Sequence, residues 1–338
     1  MRRLVVVCGV LILLGAVGVR IANGSHFVIE HPANLVSGKW VKVNLHIHTA
    51  VSGGSRNACQ TAQAYTGSEY AAIVLSDKTE DIGTGRVTPD PGPSCDTANG
   101  NSMLVIPGYE DTQPGGTGTH HLTIANVSQI NTSASNTSRQ AAITYARQHP
   151  ASLAGVYISF AHPTFSTNDW TASEIEALQG ANALEVWNGQ GYDSDSVYDA
   201  VLTAGMKIWA DAADDSYTAG GDNLGWDVVN VTSVAVDAIL SGLQNGRFYA
   251  TESPGHAIRC SSTSQSITCS AYLAEPPTTP FVGTFQWISR NGAIVRSTLN
   301  ASTDTYTITG GEGYVRLVFS DSYGYGKVWS QPFFIKPL

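Results

Sequence analysis

Two histidines one residue apart, His46 and His48, end the apolar run VNLHIH, and the chain then breaks into the small residues of TAVSGG. Residues two apart on a strand face the same side, so both imidazoles can be offered to one ion, with room for it where the turn begins. A bare His-x-His is weak evidence by itself, because such pairs are more often incidental than ligating. Its weight comes from company: Asp77 in VLSDK, Glu110 in IPGYE, His120 and His121 in THHLTIANV, His162 in SFAHP, and Asp214 with Asp215 in ADAADDSY. Each stands where an apolar run meets a polar loop.

The elements that must position these residues show as an alternation. From Lys39 to Ala250, WVKVNLHIH, AAIVLS, SMLVIPG, HLTIANV, VYISFAH, ALEVWN and MKIWADA read as strands. Between them RQAAITYARQ, SEIEALQ, SDSVYDAVLTAG and VAVDAILSGLQNG have helical spacing, the last two ending in Gly as helix stops do. Strands alternating with helices predict an α/β body, mostly parallel and barrel-like, with its site at the carboxyl ends of strands. After Pro254 the texture changes to short alternating runs such as SITCSAYLA, TFQWISRNGAIV and GYVRLVFSD, which predict a small antiparallel β-sandwich.

With 338 residues the chain has room for two domains, since single cores stop growing at about 250–300 residues. A formal net charge of -9 and the lack of any Lys/Arg run argue against a nucleic-acid scaffold and leave a small-molecule substrate as the expected partner. Arg2 and Arg3, the apolar block 4–19, then Ala22 and Gly24 read as a secretory signal over 1–24. The block is shorter than the roughly 20 residues of a comfortable bilayer span, so a secreted protein with no membrane span after cleavage is expected; an uncleaved signal would be an N-terminal anchor. Setting Cys8 aside, four of the five cysteines remain. Export predicts that they oxidise, and Cys59 with Cys95 and Cys260 with Cys269 are the local choice among three connectivities. Oligomeric state is left open.

The strings NLHIHT, SDK, PGYE, AHP and DDSY, in that order, resemble the polymerase and histidinol phosphatase (PHP) superfamily of metal-dependent hydrolases. NGRFYATESP, YVRLVFSDSYGYGKVWSQP, and DDSY followed by GWDVV resemble its carbaryl-hydrolase-like branch. The resemblance covers roughly residues 40–335. It implies a distorted (β/α)7-like barrel over 25–254 followed by the β-sandwich over 255–338. The family's Thr-Asp-His is Ser76-Asp77-Lys78 here, its Asp-x-His is Asp215-Ser216-Tyr217, and AVSGG lacks a further family histidine. Together those three histidines make a third metal site in three-metal members, so the departures imply a two-metal centre. By resemblance His46, His48, Glu110 and Asp215 hold one ion, and Glu110 bridges to a second held by His121 and His162. Mixed imidazole and carboxylate ligands suit zinc, manganese or iron and do not rank the three. His121 is preferred to His120 because HLTIANV matches the family's spacing, and Asp214 could exchange roles with Asp215.

Two such ions lower the pKa of a bridging water and hold the hydroxide in line with phosphorus or a carbonyl. Lys78, standing where a third-ion ligand would be, is expected to offer positive charge to a phosphate or oxyanion. Tyr217 is expected either to protonate the leaving group or simply to pack. Asp77 is expected to orient a ligand. Arg56, Glu185 and Asn188 are candidate substrate contacts. His26, His31, His149 and His256 read as surface residues, and Trp209, Trp226, Trp287 and Trp329 as core. Phosphoester hydrolysis is the leading expectation, followed by carbamate or amide hydrolysis at the same site. A non-catalytic surface or adhesion protein is the third, supported by the substitutions at Lys78 and Tyr217.

Overall fold

The structure is a computed structural model of the chain and describes residues 27–30, 35–85, 87, 103–112, 120–165, 170–252, 255–322 and 326–337. The signal-like segment 1–24, His26, His31 and Cys95 lie outside the described residues. In chain order the first part contains β1 (Phe27–Ile29), β2 (Lys39–Ile47), α1 (Ala58–Thr66), β3 (Tyr70–Leu75), α2 (Thr79–Ile82), β4 (Leu104–Asp111) and β5 (Leu122–Ala125). α3 (Thr132–Thr137), α4 (Arg139–Gln148), β6 (Tyr157–Phe160), α5 (Ala172–Glu176), β7 (Ala183–Asn188) and β8 (Tyr192–Asp193) follow. α6 (Asp195–Thr203), β9 (Trp209–Ala213), β10 (Gly225–Val231), α7 (Val236–Gln244) and β11 (Phe248–Glu252) complete it.

β3 (YAAIVL) and β6 (YISF) are apolar almost throughout and buried along nearly their whole length, the pattern of strands covered on both faces. α7 turns Ile239, Leu240 and Leu243 inward, and each such side chain contributes about 1.5–3 kcal/mol on leaving water. Pairing is mixed rather than mostly parallel. β2–β3, β3–β4, β6–β7 and β7–β9 are parallel, whereas β4–β5, β5–β6 and β10 with both β2 and β11 are antiparallel. One reason lies in connection length: the stretch 112–121 is shorter than the roughly dozen residues a parallel crossover takes. β9, which branches from β7, also reaches β10, where Ala212 N–H donates to Asp227 Oδ1 at 3.1 Å.

Beyond Gly255 come β12 (Ala257–Ser262), β13 (Ser266–Tyr272), β14 (Gly283–Ser289), β15 (Ala293–Ala301), β16 (Thr303–Thr307), β17 (Tyr314–Asp321), β18 (Lys327–Trp329) and β19 (Phe333–Pro337). β12, β13 and β16 form a three-stranded sheet, with Cys260 disulfide-bonded to Cys269 directly across it. The remaining strands join the body through β11–β18, so one 16-stranded sheet runs through both parts of the chain. Side chains strengthen the join. Arg316, fully buried, meets Asp199 at 2.6 and 2.7 Å and Asp195 at 2.9 Å, and Lys327 meets Asp193 at 2.7 Å.

Trp209, Trp226, Trp287 and Trp329 are all buried. His256 is buried too, which corrects its reading as a surface residue: it stacks on Phe281 and lies 3.3 Å from Asp321. Cys59 is disulfide-bonded. No helix among the described residues is long and apolar enough to cross a membrane.

Candidate metal centre

His46 and His48 lie at the carboxyl end of β2, where Ile47 between them pairs with both Leu75 of β3 and Ser216. The period of two puts both rings on one side, and their Nε2 atoms stand 3.2 Å apart, fully buried. His46 Nδ1–H donates to Glu185 Oε1 at 2.7 Å, which points Nε2 at the cluster. Glu110, at the end of β4, brings Oε1 to 2.6 Å from His121 Nδ1, 3.1 Å from His162 Nε2 and 3.6 Å from His46 Nε2. Asp215 Oδ1 lies 3.0 Å from His48 Nε2 and 3.4 Å from His46 Nε2.

Two sets of three donors converge: His46, Glu110 and His162, and His46, His48 and Asp215, each set within 4.8 Å. His121 stands beside them against Glu110. Its neighbour His120 turns away, 3.5 Å from Glu174 and edge-on to Trp170. Asp214 also faces elsewhere, accepting from Tyr65 Oη and from the backbone N–H groups of Asn223, Leu224 and Gly225. Two members of the cluster hold left-handed backbone, His162 at φ 28° and Asp215 at φ 50°, a conformation that costs a non-glycine residue about 1–3 kcal/mol and persists only where the surroundings fix it.

The donor set fits divalent cations. Glu110 Oε2 and Asp215 Oδ1 are buried carboxylate oxygens that accept no hydrogen bond, with His48 Nε2 standing 3.4 and 3.0 Å away. Burial works to raise the Glu110 carboxyl, yet the charges of His121 and His46 hold it well below the usual range. Burial likewise opposes ionisation of Asp215, and His46 and His48 pull it down to about 2. His46 shows the converse, raised well above an ordinary imidazole against burial by Asp215, Glu185 and Glu110. Ionised acids enclosed by imidazoles make a cluster in which positive charge is stabilised, and four imidazoles with two carboxylates are suitable ligands for it.

The chain has the fold of a two-domain bacterial protein. That protein, from Bacteroides vulgatus, contains a predicted PHP-like metal-dependent phosphoesterase; the likeness has a TM-score of 0.51 at 15% identity and covers 90% of this chain and 98% of that one. At that identity the likeness is one of fold. Looser overlaps occur with an amidohydrolase from Chromobacterium violaceum (TM-score 0.36, 14% identity, 53% of this chain and 89% of that one). A lesion-specific endonuclease from Pyrococcus furiosus overlaps similarly (TM-score 0.38, 13% identity, 61% and 56%). No protein-family model and no curated protein matches the chain.

A cavity of about 160 Å³ opens over the cluster, lined by Lys78, Phe165, Gln190, Tyr192 and Tyr217 besides Glu110, His121, His162 and Asp215. Tyr217 stacks on His48 with ring centroids 4.2 Å apart, and Lys78 Nζ lies 5.4 Å from the Tyr217 ring centre. Burial, reinforced by Asp215 and Glu110, pushes the Tyr217 phenol far above its ordinary value, so it keeps its proton.

The three candidate substrate contacts are engaged by neighbouring groups of the chain. Arg56 pairs with both oxygens of Asp222 at 2.6 and 2.7 Å and does not line the cavity. Glu185 divides itself between His46 and the His162 N–H, at 2.7 Å each. Asn188 Nδ2 donates to Glu185 Oε2 at 3.0 Å and Asp215 Oδ2 at 3.3 Å. Asp77 accepts from Thr49 N and Oγ1 at 2.7 and 2.6 Å, and its 4.0 Å separation from His48 Nδ1 is too long for a hydrogen bond, so these bonds hold the turn after His48.

Sequence reasoning missed Phe165, Gln190 and Tyr192. Their signal was adjacency: each follows a motif, AHP or WNG, by a few residues into its loop. Gln190 Nε2 donates to Asp215 O at 2.7 Å. The approach needs glycine before it, because a Cβ at Gly189 would sit 2.5 Å from Asp214 O.

Proposed function

We propose that the chain is a metal-dependent hydrolase acting on phosphoesters at a dinuclear centre. The observation that carries the reading is the convergence of His46, His48, Glu110, His162 and Asp215 around buried carboxylate oxygens that accept no hydrogen bond. His46 Nε2 has one lone pair and can serve one ion only, so it goes with His48 and Asp215. Glu110, whose two oxygens face different imidazoles, is the residue able to bridge to His162 and His121. Divalent ions there would activate a water and neutralise charge developing on phosphorus oxygens.

The chain's own residues supply the rest. Glu185 fixes His46 by its Nδ1–H and anchors the His162 backbone. Lys78 sets a positive charge against a non-bridging oxygen. Tyr217, still protonated, hands its Oη proton to the leaving oxygen. The same reading takes 25–254 as a distorted barrel closing at β9 and β10, and 255–338 as a β-sandwich. It also takes the protein as exported, which the signal-like 1–24 and the Cys260–Cys269 disulfide favour.

One observation favours carbamate or amide hydrolysis as a second reading: among the described residues Lys78 is the one Lys or Arg in the cavity lining, a sparse clamp for phosphate. Elemental analysis of purified protein tests the shared premise, with about two zinc, manganese or iron ions per chain expected. Side-by-side assay of a chromogenic phosphodiester and an aryl carbamate then separates the two. Protein that takes up no metal and turns over neither would leave the non-catalytic surface role.

A further inference from the structure

Phe165 is a phenyl ring left 45% exposed in the wall of the catalytic cavity. It is held from two sides. Its ring centre lies 5.1 Å from that of His162 and 5.1 Å from that of Tyr192, the latter edge-to-face at 70°. Tyr192 itself is fixed by β8, which pairs antiparallel with β7 through Asn188, and the next residue, Asp193, is tied to Lys327. Thr164 Oγ1 donates to Asp193 O at 3.1 Å, joining the Phe165 and Tyr192 loops to each other. Two loops from different strands are thus bonded together to present an aromatic corner.

The lining also holds a different pair. Tyr217 stacks on His48 with Lys78 Nζ 5.4 Å from its ring centre, whereas Phe165 packs on His162 and Tyr192 on Phe165. A ligand over the cluster therefore meets a cation beside the His48 pair and an exposed phenyl ring beside His162. One lysine matches one negative charge. Covering an exposed ring removes apolar area from water, and a flat aromatic group also gains the offset or edge-on ring geometry that an alkyl group lacks.

We propose that Phe165 and Tyr192 form a specificity subsite for an aromatic substituent, making the substrate class a monoanionic phosphodiester with an aryl group on the non-leaving side. This rests on the hydrolase reading above.

The test is calorimetric binding of two monoanions, methyl phenylphosphonate and dimethyl phosphate, to the manganese-loaded full chain. The aryl compound is expected to bind about tenfold more tightly. Phe165→Ala should erase that ratio, and Phe165→Trp should keep it. Equal affinity of the wild type for both compounds, detectable binding of neither, or a ratio that survives Phe165→Ala would overturn the subsite. Hydrolysis of phenyl p-nitrophenyl phosphate, which carries its phenyl group on the non-leaving side, is read separately: an intact binding ratio without turnover would sink the hydrolase reading and leave the aromatic subsite standing.

Discussion

Glu185 holds His46 by a 2.7 Å bond between Oε1 and Nδ1, with both side chains fully enclosed. A carboxylate in that place fixes the ring's tautomer and raises its basicity, and losing such a partner typically lowers metal affinity 10–100-fold. Glu185→Gln is expected to weaken metal binding by about tenfold while the fold survives. Competition against a chelator of known affinity checks it; unchanged metal affinity would reduce Glu185 to a packing role.

Tyr217 and Lys78 predict a dependence on leaving group. Tyr217→Phe keeps the stack on His48 and removes only the proton. Its kcat should fall by about 10²-fold for an alkoxide leaving group and hardly at all for p-nitrophenoxide, which needs no protonation. Unchanged kcat for both would leave Tyr217 a packing role, and equal losses would mean that its hydroxyl does not act on the leaving group.

Lys78→Met should lower kcat/KM for a phosphodiester by about 10²-fold with metal content intact. Reduced metal content with unchanged turnover per bound ion would assign Lys78 to the metal centre instead.

Arg316 is a fully buried cation facing Asp195 and Asp199 across the join between the C-terminal strands and α6. Against burial, those two acids raise its pKa, so it remains charged. Arg316→Met strands the acids and is expected to cost about 3 kcal/mol, read as a lower urea midpoint. A loss under about 1 kcal/mol would mean that water replaces the guanidinium.

Asp304 gives the C-terminal strands an acid limit. Burial opposes its ionisation, but Arg296, Trp287 Nε1–H and Thr298 hold it down to about 2. A folded value below the ordinary 3.8 means stabilisation that is present above roughly pH 4 and is lost as pH falls toward 2. Near-UV circular dichroism followed from pH 5 to pH 2 should show that loss, and Asp304→Asn should flatten it. An unchanged slope in the variant would assign the acid limit to other carboxylates.

Much of the cluster was legible because its signals are local. His46 and His48 share a face by strand period alone, and Glu110, His162 and Asp215 each stand where an apolar run stops. Nothing local separates Asp215 from Asp214, since adjacent residues differ only in where the backbone turns, and Asp215 turns at a positive φ. The pairing of Arg56 is hidden for a related reason: its partner Asp222 lies 166 residues away, and nothing near Arg56 marks it as already paired. The mostly parallel sheet was expected from alternation, which reports the order of elements but not their direction.

By itself the sequence determined which residues are chemically able to bind cations, the strands whose ends carry them, and a formal net charge of -9. Those properties follow from side-chain chemistry and from periods of two and 3.6, both of which operate over a few residues. Only the tertiary structure decided that Glu185 bonds His46, that Arg56 pairs with Asp222, and that Phe165 meets Tyr192 in the lining of the cavity. Such pairings depend on how strands far apart in the chain are ordered and registered, which the packing of the whole core selects and no local pattern encodes.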